Sequence, residues 1–157
     1  LNGDWKERID DLDVFWFDWN EEHKGRKYLM HLLNIVKNHF DLSSAIGYET
    51  WIRMNTRPRD WHRDHDDRLE MTTGELKYPI CTTVYYPYVD ENVKDGRLCF
   101  ENGTIILPKT NRMAFFGPDI YHNVERFKGE RLSILLNPWN EPLCQTPCHD
   151  PWRRYMV

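Results

Sequence analysis

From about residue 45 to residue 139 the chain is a succession of short β-type runs, each closed off by Gly, Pro, Asp or Asn. They are GYETWIRMN (47–55), YPICTTVYYPY (78–88), GRLCFE (96–101), GTIILP (103–108), NRMAFFG (111–117) and RLSILLNPW (131–139). Turn residues at that frequency, and runs of that length, build strands rather than helices. Six short strands need a second layer to bury their apolar faces, so the pattern predicts an antiparallel sandwich or jelly roll. A single helix precedes them. Leu29, Leu32, Leu33, Val36 and Phe40 recur at spacings of three and four, and Asn20 is placed as an N-cap ahead of Glu21 and Glu22. That predicts one amphipathic helix over 21–40, packed on one face of a mainly β (α+β) fold.

A length of 157 residues suits one domain with a substantial core and is short for two. The expected organisation is an N-terminal support over 1–44, a β core over 45–139 and an extended, proline-rich tail over 140–157. The support opens with an aromatic strand, DDLDVFWFDW (10–19), and Trp5, Trp16 and Trp19 are read as core or helix-packing residues. With 21 Lys and Arg against 25 Asp and Glu the net charge is −4. A general polyanion binder would show a basic excess or stripe. Here Arg53, Arg57, Arg59, Arg63 and Arg68 are interrupted by acidic residues, as in a mixed-charge rim, and no nucleic-acid partner is expected. No apolar run approaches the roughly 20 residues of a bilayer span, so no membrane partner is expected either. Cys81 and Cys99 sit inside strand-like runs, which favours reduced thiols in a cytoplasmic protein. Cys144, Cys148 and His149 (CQTPCH) lack an evident fourth ligand and the usual zinc spacing, leaving thiols in a tail as the expected reading.

The chemistry concentrates in WHRDHDD (61–67), which contains two overlapping His-x-Asp pairs, His62/Asp64 and His65/Asp67. A His and a carboxylate two apart on an extended segment share a face and can take two positions on one metal ion. The same polar stretch also reads as a solvated loop. His122, at the end of an apolar strand, could supply a third ligand, and Arg131 opens another apolar run where an unpaired charge would be costly. Two histidines and a carboxylate form a facial triad that leaves iron(II) coordination positions open. A guanidinium in the same pocket suits bidentate recognition of a carboxylate. 2-Oxoglutarate meets both demands, with a chelating keto-acid end and a distal carboxylate.

On these residues the sequence resembles the iron(II)/2-oxoglutarate-dependent dioxygenases, in their prolyl-hydroxylase-like branch, from about Gly47 to Trp139. WHRDHDD looks like the family's ligand-bearing strand end, TTVYYP like the strand after it, and DGRLCFE like its glycine turn. ILPKTNRMAFFGPDIYHNV resembles the strand leading to the distal histidine, and GERLSILLNPW carries an arginine nine residues after His122. The resemblance implies a double-stranded β-helix with His62, Asp64 and His122 as iron ligands and Arg131 as partner of the distal carboxylate. Tyr86 and Ser133 are implied as hydroxyl partners of the same group, and Thr82, Val84 and Tyr86 as one pocket-lining face. Trp61 matches the tryptophan before the ligand histidine and would lie beside the iron. Asp66 matches a second acid on the ligand face, and His65 falls on the opposite face. The chain departs from the family in Asp95-Gly96 for a doubled glycine, in Met54 and Asn55 where many relatives have a tyrosine, and in Pro87 after the tyrosine pair.

The implied activity is hydroxylation of an unactivated C–H bond with O2, 2-oxoglutarate giving succinate and CO2. Asp64 favours hydroxylation over halogenation. Asn137, in the place of the second arginine of nucleic-acid demethylating relatives, argues against repair. A prolyl residue in a protein or peptide is the leading substrate, with a free amino acid or small metabolite as the alternative. A non-catalytic jelly-roll ligand-binding module is the rival of another class. Loops 56–61, 67–77 and 88–96 are expected to border the entrance.

Overall fold

A computed structural model describes residues 14–54 and 58–144. Eleven strands and two helices follow one another as β1 (Phe15–Asp18), α1 (Arg26–Val36), β2 (Gly47–Arg53), β3 (Arg59–His62), α2 (Asp67–Thr73), β4 (Thr82–Val89), β5 (Lys94–Asp95), β6 (Leu98–Phe100), β7 (Ile105–Ile106), β8 (Arg112–Phe116), β9 (His122–Val124), β10 (Phe127–Lys128) and β11 (Arg131–Trp139). A five-stranded sheet in the order β1-β2-β11-β4-β8 faces a four-stranded sheet in the order β3-β9-β6-β7, and β5 pairs with β10. The pairings are antiparallel throughout. This is the jelly roll expected from the succession of short runs. No helix among the described residues is long and apolar enough to cross a membrane.

Alternation along the strands of the large sheet separates two cores. One face carries Tyr48, Ile134 and Leu136 and is covered by α1 through Leu29, Leu32, Leu33 and Val36. Each of those side chains contributes about 2 kcal/mol by burial. The opposite face carries Val84, Tyr86 and Ala114 and packs on Leu98 and Phe100 of the small sheet. Polar side chains on that inner face therefore point into the space between the sheets, where the functional residues gather.

The helix is shorter than its periodicity suggests. His23 stacks on Phe17 with ring centroids 3.8 Å apart, its Nε2 lies 2.8 Å from the Tyr48 hydroxyl, and Arg26 donates to the Trp19 carbonyl. These contacts hold 20–25 out of the helix, so Asn20 is not its cap. Gly25 takes that place with no side-chain hydrogen bond. A second correction concerns 67–77, expected as a loop. Its first part is α2, capped by Asp66, whose carboxylate accepts from the Leu69 amide. Asp66 also accepts from the Cys144 amide, so it staples a helix rather than sharing the ligand face. Trp5, Asn55, Arg57, Cys148 and His149 lie outside the described residues. Cys81, Cys99 and Cys144 are free thiols.

Candidate metal centre

His62 ends β3 and His122 begins β9, and the two are paired directly in the small sheet. Their rings lie 4.3 Å apart between centroids. Asp64, two residues beyond His62, brings Oδ1 to 3.3 Å from His62 Nε2 and 4.0 Å from His122 Nε2. One ligand atom from each of the three residues falls within 4.8 Å of the others. Both rings are oriented by the same device. His62 Nδ1 donates to the Asp60 carbonyl at 2.7 Å and His122 Nδ1 to the Ile120 carbonyl at 3.0 Å. With the proton on Nδ1, a neutral ring at either position would turn an Nε2 lone pair toward the Asp64 oxygen, as a metal ligand must. Two lone pairs and a carboxylate facing one another repel unless a cation lies between them, so the donor set fits a metal ion. Burial pulls the His122 pKa down, helped by the charges of His62 and Arg59 against the Ile120 carbonyl and Asp64, and so favours the neutral, metal-binding ring. Burial alone would raise Asp64, but without a metal a protonated imidazole at His62 or His122, together with the Thr82 hydroxyl, holds it below the usual carboxylate value, and a bound cation would take over that part.

The second oxygen of Asp64 is fully engaged. Oδ2 accepts from Thr82 Oγ1 at 3.1 Å and from Asn137 Nδ2 at 3.3 Å. Asn137, wholly buried in β11, also donates to Glu49 Oε1 at 3.2 Å, and its own oxygen accepts the Thr83 amide at 3.1 Å. The backbone bond fixes which way the amide points, and so presents Nδ2 to both carboxylates. Register explains the meeting, since Glu49 and Asn137 are direct partners across β2 and β11. Burial pushes the Glu49 carboxyl up to about 8, with the Asp64 charge adding to it against the Asn137 hydrogen bond. Glu49 and the bond from Asn137 to Asp64 escaped the sequence reading; the shared face of β2 and β11 was the signal that could have found them.

From this cluster a cavity of about 60 Å³ runs over Leu135 and Val84 to Arg131, with Tyr86 and Ser133 on its wall. Arg131 is 7% exposed, and burial pulls its pKa below the usual guanidinium value. Its guanidinium lies 4.0 Å over the Phe127 ring and 5.6 Å from the Tyr86 ring centre, and Nη1 donates to the Gly96 carbonyl at 2.6 Å. Nε is buried with no acceptor among the described residues. A buried, held and incompletely satisfied guanidinium is suited to an anion. Gly96 makes room for it. Its φ is +72°, and an added Cβ would stand 2.6 Å from Arg131 Nη1. Asp95, at φ 65°, also adopts the left-handed conformation, which Asp tolerates better than most residues, so Asp95-Gly96 makes the turn of a doubled glycine. Pro87 falls where β4 has two residues opposite Ser133 of β11, a bulge that leaves its missing N–H without consequence.

The second His-x-Asp pair forms a separate group. His65, Asp67 and Glu70 also have ligand atoms within 4.8 Å of one another, and His65 Nε2 lies 2.7 Å from Glu70 Oε2. Asp67 and Glu70 are largely exposed, and the group does not line the cavity that holds Arg131. Burial works against its charge, yet the Arg63 carbonyl, Glu70 and Asp67 raise the His65 pKa, the opposite of His122. An imidazolium paired with carboxylates accounts for that geometry. Trp61 does not line the cavity. It is half-exposed and stacks on Tyr121, over which Arg63 lies.

No protein-family model matches the chain, and no curated protein does. Among solved structures, a Pseudomonas putida prolyl-4-hydroxylase is 18% identical, with a TM-score of 0.55 over 82% of this chain and 72% of that one. An oxidoreductase of the 2OG-Fe(II) oxygenase family from Burkholderia pseudomallei is 11% identical, with a TM-score of 0.51 over 82% of this chain and 69% of that one. The fold is that of the 2-oxoglutarate/iron oxygenases. At these identities the likeness is one of fold, and the chemistry has to be argued from the residues.

Proposed function

We propose that this chain is an iron(II)- and 2-oxoglutarate-dependent oxygenase that hydroxylates an unactivated C–H bond. The observation that carries the reading is that His62, Asp64 and His122 converge in the cavity that also holds the underpartnered guanidinium of Arg131. Metal ligands and an anion receptor in one enclosed space suit a ligand that is anionic and also reaches the metal. 2-Oxoglutarate is such a ligand. A jelly-roll binding module needs no such pairing. His62, Asp64 and His122 are the proposed iron ligands, with the other positions left open for the oxo acid and O2.

When bound, iron and 2-oxoglutarate supply the oxidation, with O2 consumed, succinate and CO2 released and a hydroxyl placed on the substrate. The chain supplies placement. Arg131 holds the distal carboxylate, with the Ser133 and Tyr86 hydroxyls as further partners. Leu135 and Val84 keep the space between the two ends dry. Thr82 and Asn137 occupy Asp64 Oδ2 and leave Oδ1 to face the two histidines. A prolyl residue of a protein or peptide is the first substrate to test, supported by the hydroxylase among the structural neighbours; a free amino acid or small metabolite is the alternative.

Calorimetric titration of 2-oxoglutarate into protein loaded with manganese(II) tests the reading without turnover. Saturable binding in wild type, weakened about tenfold or more in Arg131→Gln, is the expected result. No binding to folded, metal-loaded wild type would leave the ligand-binding module as the better account.

A further inference from the structure

A single amide nitrogen holds two largely buried carboxyl groups. Asn137 Nδ2 donates to Glu49 Oε1 at 3.2 Å and to Asp64 Oδ2 at 3.3 Å. A side-chain amide nitrogen carries two N–H groups, so each carboxyl takes one. The Asn137 oxygen accepts the Thr83 amide at 3.1 Å, which leaves the side chain with no spare donor. Neither Glu49 nor Asn137 lines the cavity, so both act from behind Asp64, which does.

The two carboxyl groups have different surroundings. Asp64 turns Oδ1 toward His62 and His122, where a cation fits. Glu49 is 9% exposed and makes no ion pair among the described residues. Its strand neighbours are Asn137 of β11 on one side and Trp16 of β1 on the other. Two carboxylates sharing one donor repel each other, and a buried charge without a partner is costly. The lower-energy arrangement places the proton on Glu49 and leaves Asp64 ionised for the metal. Burial pushes the Glu49 carboxyl in that same direction. An uncharged Glu49 still offers Oε1 as an acceptor, and that acceptor has a mechanical use. The Thr83 amide fixes which end of the Asn137 side chain is oxygen, while acceptors on both sides of Nδ2 fix its tilt. The Thr82 hydroxyl on Asp64 Oδ2 can rotate, whereas the amide is planar, so the amide is the stiffer of the two donors that set this carboxylate.

Resting on the assignment of iron ligands proposed above, we infer that Glu49 is a positioning residue of the metal centre. It works as a hydrogen-bond acceptor and not as a charge. By steadying Asn137 it keeps Asp64 Oδ2 engaged and Oδ1 directed at the two histidines. Glu49→Gln preserves the accepting oxygen and carries no charge, whereas Glu49→Leu removes the acceptor at similar volume.

Competition of cobalt(II) against a chelating dye at neutral pH reads metal affinity without turnover, and thermal unfolding followed by circular dichroism shows that each variant is folded. Glu49→Leu should bind cobalt(II) about tenfold or more weakly, while Glu49→Gln binds it as wild type does. In an Asn137→Ala background, Glu49→Leu should cause no further loss, because its effect passes through Asn137. Should Glu49→Leu not fold, Glu49→Met carries the same comparison. Wild-type affinity in Glu49→Leu overturns the inference, and so does a full additional loss in the Asn137→Ala background. Equal loss in Glu49→Gln and Glu49→Leu also overturns it, since the residue would then act by its charge. Failure of folded wild type to take up cobalt(II) overturns the metal-centre reading beneath it.

Discussion

At the scale of single residues, what separates the two histidines of WHRDHDD is what their ring nitrogens face. His62, His65 and His122 all donate Nδ1 to the carbonyl two residues back. The Nε2 of His62 faces one largely buried aspartate beside the buried ring of His122, whereas that of His65 faces two exposed carboxylates at ion-pair distance. Asn137 extends the difference, because it holds Asp64 in place from β11. Asn137→Ala should lower affinity for iron(II) or cobalt(II) by roughly 10–100-fold, the range for lost partners of metal ligands. Competition against a chelating dye measures it, and an unchanged affinity would remove Asn137 from the account. Glu49 makes a prediction about pH. Its folded pKa of about 8, against 4.5 in the open chain, means that the folded protein keeps a proton the unfolded chain has lost. Stability of the metal-free protein is therefore greatest below pH 4.5 as far as Glu49 is concerned, and this contribution is lost as pH rises through 8. Glu49→Gln should abolish that loss, leaving the variant more stable at pH 8.5 by a Tm difference on the order of 5 °C. A Tm no higher than wild type at that pH would count against a buried neutral Glu49.

At the scale of elements, strand succession was legible because turn residues punctuate it, and β11 runs over 131–139 as read. The helix was legible in its buried stripe and not in its start, because the contacts of His23 and Arg26 that shorten it come from β1 and β2. α2 was hidden in a run of charge with no apolar period; none of its residues is buried, and capping by Asp66 supports it instead. The bulge of β3 between Arg59 and His62 was not legible either, since a bulge is a relation between two strands and leaves no mark on one. Packing of α1 on the large sheet predicts that Leu33→Ala, at a fully buried position, costs about 3 kcal/mol by urea denaturation. Gly96→Ala acts through the turn before β6. It should weaken 2-oxoglutarate binding in calorimetry by displacing Arg131, with metal affinity kept. Loss of both together would mean that the turn supports the whole fold and not the guanidinium in particular.

Across the whole molecule, the two sheets divide the labour. The small sheet and the segment leaving it carry the candidate ligands, while the large sheet carries Arg131, Ser133 and Tyr86 and braces Asp64 from below. The motif could be read from the sequence, and the resemblance implied His62/Asp64 over His65/Asp67; the pairing of β3 with β9 adds a geometric reason, setting His122 against His62 and away from His65. The most direct measurement is an anaerobic titration of metal-free protein with iron(II) and then 2-oxoglutarate, following the weak visible charge-transfer band of iron bound by a keto acid. A band in wild type and His65→Ala, absent in His62→Ala, is the predicted result. A band that survives His62→Ala and disappears in His65→Ala would move the metal to the surface group, and no band in folded wild type would contradict the oxygenase account altogether.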